Sequence, residues 1–179
     1  MSGMDSKKLS ARTRQPGHDQ SFRESEAHFD EAAREILDRR FPGEFLVSAQ
    51  GSELDDVFGV NPDTGRALGV RPEATITHVA SGRSMFVEVK KQGSSGNAEE
   101  RACKHHTIQF AKVLQARFGW DYHPCVTVFC DSLAVDPRYT VKFASLFEPD
   151  NYFLWRDYDR NILERYLVAR ATQWLKQGV

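Results

Sequence analysis

The most chemically loaded stretch of this 179-residue chain is Glu88-Val89-Lys90. Read as a β-strand, its period of two sends Glu88 and Lys90 to one face and Val87 and Val89 to the other. A carboxylate and an ammonium then share one site. A second carboxylate, Glu73, follows Pro72 and lies 88 − 73 = 15 residues upstream of Glu88. Two β-rich runs, 74–79 and 84–90, flank Ala80-Ser81-Gly82-Arg83, and this pattern predicts a hairpin that returns Glu73 to the side of Glu88 at one sheet end. Hard cations such as Mg²⁺ take oxygen ligands, keep several waters, and are usually held by one or two carboxylates plus a substrate phosphate. Glu73 and Glu88 meet that demand. Lys90 is placed to orient an attacking water or to steady charge growing on a phosphate. The implied reaction is phosphodiester hydrolysis.

A Glu-x-Lys on the solvent face of a strand is commonplace, so the neighbouring residues decide. Asp63 follows Pro62 and offers another acid, but it lies 88 − 63 = 25 residues before Glu88, in the turn-forming run Asn61-Pro62-Asp63-Thr64-Gly65. Glu73, at a strand start, is the better candidate. Cys103, His105 and His106 suggest zinc, yet adjacent helical positions point apart, and a DNA-facing or surface place is expected for the histidines. The three cysteines lack a CxxC pair and are expected to be reduced, with Cys125 and Cys130 packing as small apolar residues. Phe153 and Trp155 alternate at strand spacing, suited to core packing or to stacking on bases.

These residues need elements to position them. Apolar residues recur at helical spacing over 21–41 (Phe22, Phe29, Ala33, Ile36, Leu37), with Ser21 or Ser25 as N-cap and Pro42-Gly43 as stop. Glu24, Glu26, Asp30, Glu31 and Glu35 form its solvated face. Residues 51–69 read as loop. A second helix is predicted over 98–118, entered through 93–97, then a buried strand over 124–130, a short element near 139–147, and a last helix over 161–176. The order implies an α/β fold with a mixed central sheet flanked by helices. Residues 1–20 lack hydrophobic periodicity and read as a flexible N-terminal arm, leaving 21–179 as one domain.

Composition excludes little by itself. With 40% hydrophobic and 27% charged residues the chain is neither fibrous nor disordered. No apolar run approaches a membrane span and the polar start does not resemble a signal peptide, so a cytoplasmic location is expected. A net charge of −1 does not announce a nucleic-acid binder, although Lys90, Lys91, Arg101 and Lys104 cluster.

The segment after the candidate metal strand is more specific. Gly96-Asn97-Ala98-Glu99-Glu100-Arg101, in order after Pro72-Glu73 and Glu88-Val89-Lys90, resembles the type II restriction endonucleases of the PD-(D/E)XK class, of the EcoRI and MunI kind, whose shared pattern is PD, ExK and GNAxER. Residues 69–73 and 150–156 add to the likeness, which spans roughly 68–156. One departure is that the aspartate of the PD pair is Glu73 here, a carboxylate on a longer stem. The resemblance implies a restriction-endonuclease-like (PD-(D/E)XK) core and an Mg²⁺-dependent homodimer. Such an enzyme cuts double-stranded DNA at a palindrome, with neither a membrane nor a small-molecule cofactor involved. It implies that Asn97, Ala98, Glu100 and Arg101 serve in DNA binding, joined by Lys91, Lys104 and His105. The centre common to that family's sites is AATT; Asn97 suits adenine and Arg101 offers a fork of donors to base edges. Ser95 stands where a CAATTG-cutting relative carries arginine, so the outer pair is expected to go unread, giving an AATT cutter with 5′ overhangs. His105, Lys91 or the N-terminal arm are candidates for restoring an outer contact. Two other readings stay open: a repair or recombination nuclease of the same fold, and a DNA-binding protein with a decayed site.

Overall fold

The computed structural model describes residues 16–92 and 96–176. Its centre is a five-stranded sheet in sequential order: β1 (Phe45–Ala49), β2 (Ala74–His78), β3 (Ser84–Lys90), β4 (Cys125–Cys130) and β5 (Tyr152–Trp155). The first three strands run antiparallel to their neighbours, and β3, β4 and β5 are parallel. The mixed sheet expected from sequence is therefore present. The hairpin pairs Ala74 with Val87 and Thr77 with Ser84. β3 is buried on both faces except at Lys90, as befits a central strand covered on each side.

Parallel neighbours need a crossover, and helices supply it. Between β3 and β4 come α2 (Ala98–Cys103) and α3 (Ile108–Phe118); between β4 and β5 come α4 (Ser132–Val135) and α5 (Pro137–Leu146). α1 (Pro16–Arg40) and α6 (Arg160–Arg170), the latter running into a π-turn over Ala171–Leu175, cover the other face. Phe29, Ile36 and Leu37 of α1 and Leu163 and Leu167 of α6 pack there with Val87, Val89, Val126 and Val128. Among the described residues no helix is long and apolar enough to cross a membrane.

Several boundaries differ from expectation. α1 begins at Pro16, whose missing N–H costs nothing in a first turn, so the candidate caps Ser21 and Ser25 lie inside the helix and residues 16–20 belong to it, not to the arm. Residues 1–15 of that arm lie outside the described residues. β1 and β5 are additional strands, short enough for turn-rich flanks to hide them. The predicted helix 98–118 is two helices: Thr107, extended at φ −73° and ψ 146°, starts α3 afresh by accepting the Phe110 N–H on its side chain. That break turns out to set the active-site geometry.

Candidate active site

Alternation along the central strands builds the site. On the face opposite Val87 and Val89, β3 presents Phe86, Glu88 and Lys90, and its parallel neighbour aligns Cys125, Thr127 and Phe129 beside them. Phe86 and Cys125 belong to one apolar cluster with Phe110 and Leu114, while Phe129 belongs to another with Ala98, Leu133 and Phe143. Glu88 and Thr127 are thus a polar seam between two apolar clusters.

Glu73 arrives where β2 ends. Its carbonyl accepts the Gln50 N–H at 3.0 Å, which fixes the backbone to the end of β1. Its Oε2 accepts the N–H of Val89, a group beyond the last β2 pair, so the side chain stands in for a missing strand partner. Lys90 Nζ donates to Glu73 Oε1 at 2.9 Å and to Glu88 Oε2 at 2.5 Å, and reaches the Val89 carbonyl at 3.4 Å. Two acids therefore share one base in a largely buried setting. Burial raises the Glu73 pKa to about 7; the Glu88 charge adds to this and Lys90 opposes it. Burial acts to lower the Lys90 pKa, yet Glu73 and Glu88 outweigh it and hold the ammonium above its usual value.

The α2–α3 break carries His105 inward. The expectation that it faces DNA is corrected: His105 is 3% exposed, with Nε2 at 3.3 Å from Glu88 Oε1. The approach is close but off-line, and this nitrogen has no hydrogen-bond partner among the described residues. Burial lowers its pKa to about 4 against the pull of Glu88, so it is neutral at pH 7. Its carbonyl accepts from His123 Nε2 at 2.9 Å, and His106 Nε2 lies 2.9 Å from Thr127 Oγ1, the hydroxyl in register with Glu88. His106 is pushed to about 3 by burial, helped by His123 and His105. This buried backing for Glu88 left no signal in spacing, because it depends on where the chain leaves α2.

The expected DNA-contacting residues divide. Asn97 just before α2, Glu100 and Arg101 on it and Lys104 after it are exposed. Ala98 is 2% exposed and packs beneath the helix against Phe129, Leu133 and Phe143, so its side chain is corrected from contact residue to core. Lys91 is partly buried and pairs with Asp131 at 3.0 Å. Residues 93–95, including Ser95, lie outside the described residues. Asp63 sits in an exposed turn closed by Asn61 Oδ1, which accepts from the Asp63 and Thr64 N–H groups; it takes no part in the site. Phe153 and Trp155 are core.

The donor set suits a hard divalent cation. Both carboxylates already converge on one positive atom, Lys90 Nζ, in a largely buried setting. Among the described residues no group of three or more His, Cys, Asp or Glu could hold a metal ion. Further ligands would be water, backbone or substrate oxygens, the usual manner for Mg²⁺.

The sheet, its flanking helices and this site at the end of the central hairpin define the restriction-endonuclease-like α/β fold. A solved structure described as MunI restriction endonuclease in complex with cognate DNA is similar, with a TM-score of 0.62 and 22% identity over 81% of this chain and 88% of that one. The sequence matches the family described as type II restriction enzyme MunI over residues 44–175, and the chain belongs to that family. It is a type II site-specific deoxyribonuclease. Among curated protein sequences none matches.

Proposed function

We propose that this protein is an Mg²⁺-dependent homodimeric endonuclease that cleaves double-stranded DNA at a palindrome containing AATT. The observation that carries the reading is the meeting of Glu73, Glu88 and Lys90 on one site, followed within a few residues by α2 with Asn97, Glu100 and Arg101 exposed. The similar MunI structure holds cognate DNA, which supports double-stranded DNA as the partner. A bound Mg²⁺ would supply an activated water and neutralise charge at the phosphate. Glu73 and Glu88 would hold it, together with the Val89 carbonyl. Lys90, fixed by both carboxylates, keeps a positive charge beside the scissile phosphate and orients the incoming water. His105 limits the rotation of Glu88 from behind.

A palindrome presents each half-site once per strand, and a two-fold protein matches it with two copies of one site. Inner readout would fall to Asn97, whose amide can bond bidentately to adenine, and to Arg101. Whether a flanking pair is also read decides between a four-base and a longer site. Digestion of a complex genomic DNA with the purified protein and Mg²⁺, followed by sequencing of the ends, tests the reading. Discrete fragments ending at AATT with 5′ overhangs and any flanking pair are expected. Ends lacking AATT refute the inner readout, one fixed flanking pair refutes the four-base version, ragged nicking indicates a repair-type nuclease, and intact DNA indicates a decayed site.

A further inference from the structure

Gln92 is 4% exposed, two residues beyond Lys90, and both polar atoms of its side chain are engaged. Its side-chain Nε2 donates to the Tyr139 hydroxyl on α5 at 2.7 Å, and its Oε1 accepts the Ala98 N–H at 2.8 Å. Its carbonyl accepts from Ser132 Oγ at the start of α4 at 2.5 Å. One side chain therefore ties the end of the catalytic strand, the first residue of α2 and the α4–α5 layer together.

The first turn of a helix leaves N–H groups without intrahelical partners. Ala98 is buried, so its N–H has no recourse to water and needs a protein acceptor. Gln92 is that acceptor. Asn97 occupies the N-cap position, where an asparagine side chain ordinarily accepts from the second or third helical N–H, yet here it makes no capping hydrogen bond. Its amide is exposed and uncommitted to the helix. Gly96 fits the same arrangement: at φ +152° it lies so close over Gln92 that a Cβ would meet Oε1 at 2.9 Å, Cδ at 3.0 Å and Cγ at 3.1 Å. In this chain the Gly-Asn-Ala run is thus arranged around Gln92. Glycine closes over it, the backbone N–H of the buried alanine rests on it, and asparagine stands exposed between them.

We infer that Gln92 is a specificity-positioning residue, which secures the N-terminus of α2 to the catalytic strand and so fixes the backbone from which the exposed Asn97 amide reaches a base edge. The inference rests on the proposed role of Asn97 as a base reader. Gln92 itself touches no base.

The test measures equilibrium binding, with Ca²⁺ in place of Mg²⁺, to a duplex carrying the site mapped by digestion and to one with an inner pair exchanged. The proteins are the wild type, Asn97→Ala, Gln92→Ala, the double variant, Gln92→Glu and Tyr139→Phe, each with its melting temperature. A bidentate amide–adenine contact corresponds to about 5- to 150-fold in discrimination. Asn97→Ala and Gln92→Ala should each lose discrimination in that range, with binding to the exchanged duplex unchanged, and the double variant should be no worse than either. Gln92→Glu keeps an acceptor for Ala98 and for the Tyr139 hydroxyl and should retain most discrimination. If Gln92→Ala does not fold, Tyr139→Phe, which removes only the hydroxyl that holds Nε2, carries the test with a loss of a few-fold. Loss in Asn97→Ala with retention in the folded Gln92 and Tyr139 variants overturns the inference alone, as does a double variant in which the two losses multiply. Full discrimination in Asn97→Ala overturns the base-reading role on which it rests.

Discussion

Replacing Glu73 by glutamine should stabilise the metal-free protein at alkaline pH while destroying its function. The folded-state pKa of about 7, against an ordinary 4.5, means that the native protein holds the Glu73 proton where the unfolded chain has released it. Native binding of extra protons makes stability fall as pH rises from about 4.5 through about 7. The gap, 7 − 4.5 = 2.5 pH units, corresponds to at most about 3.4 kcal/mol at ~1.36 kcal/mol per unit. Two effects reduce what glutamine recovers. About a fifth of the side chain remains open to solvent, at 22%, and the new amide nitrogen would turn a donor toward Lys90 Nζ or release it. A net gain of about 1–2 kcal/mol at pH 8 follows, or roughly 3–6 °C in melting temperature for a domain of this size. His105 and His106 titrate in the opposite sense: with folded values of about 4 and about 3, their contribution is complete above 6.5 and lost as pH falls. Those residues are the same in both proteins, so the difference between wild type and variant isolates Glu73. Urea or thermal unfolding in EDTA at pH 5 to 8 should show the variant no more stable than the wild type at pH 5 and leading at pH 8. Added Mg²⁺ should close the gap by stabilising only the wild type. A difference that does not change with pH, or a wild type more stable at pH 8 without metal, refutes the account of two acids sharing one base.

Glu88→Ala and Lys90→Ala should each abolish cleavage and leave specific DNA binding measurable in gel shift, since they serve the phosphate and not the bases; turnover near wild type in either one removes the site assignment. Glu73→Asp should keep cleavage activity because a carboxylate remains, whereas Glu73→Ala should not, and Asp63→Ala should be unaffected; an active Glu73→Ala beside an inactive Asp63→Ala would reverse the choice of acid. His105→Ala should raise the Mg²⁺ concentration for half-maximal cleavage and cost about 10- to 100-fold in activity, the usual range for a residue behind a ligand, with partial recovery in His105→Asn. An unchanged Mg²⁺ dependence in His105→Ala would make the histidine packing only.

The parts of the site that were legible in sequence are those fixed by short-range geometry. Glu88 and Lys90 share a face because a strand alternates, and Glu73 meets them because four residues join two β-rich runs into a hairpin. The parts that were not legible depend on how distant elements pack. Lys104-His105-His106 reads as continuous helix, and only the Thr107 cap and the fall of His105 against Glu88 reveal the break. Gln92 gives no motif of its own; its role exists because α4 and α5, some forty residues later, bring Ser132 and Tyr139 to it. The two groups are linked by one physical requirement. Two acids and a lysine set at a buried sheet end are an unstable arrangement by themselves, and the fully buried polar groups behind them must be uncharged and held. The burial that keeps His105 and His106 uncharged does this behind Glu88, and Gln92 does it where the strand gives way to α2. Chemistry was therefore readable from residue type and period, while the restraint that makes it usable lies in contacts that only folding assembles.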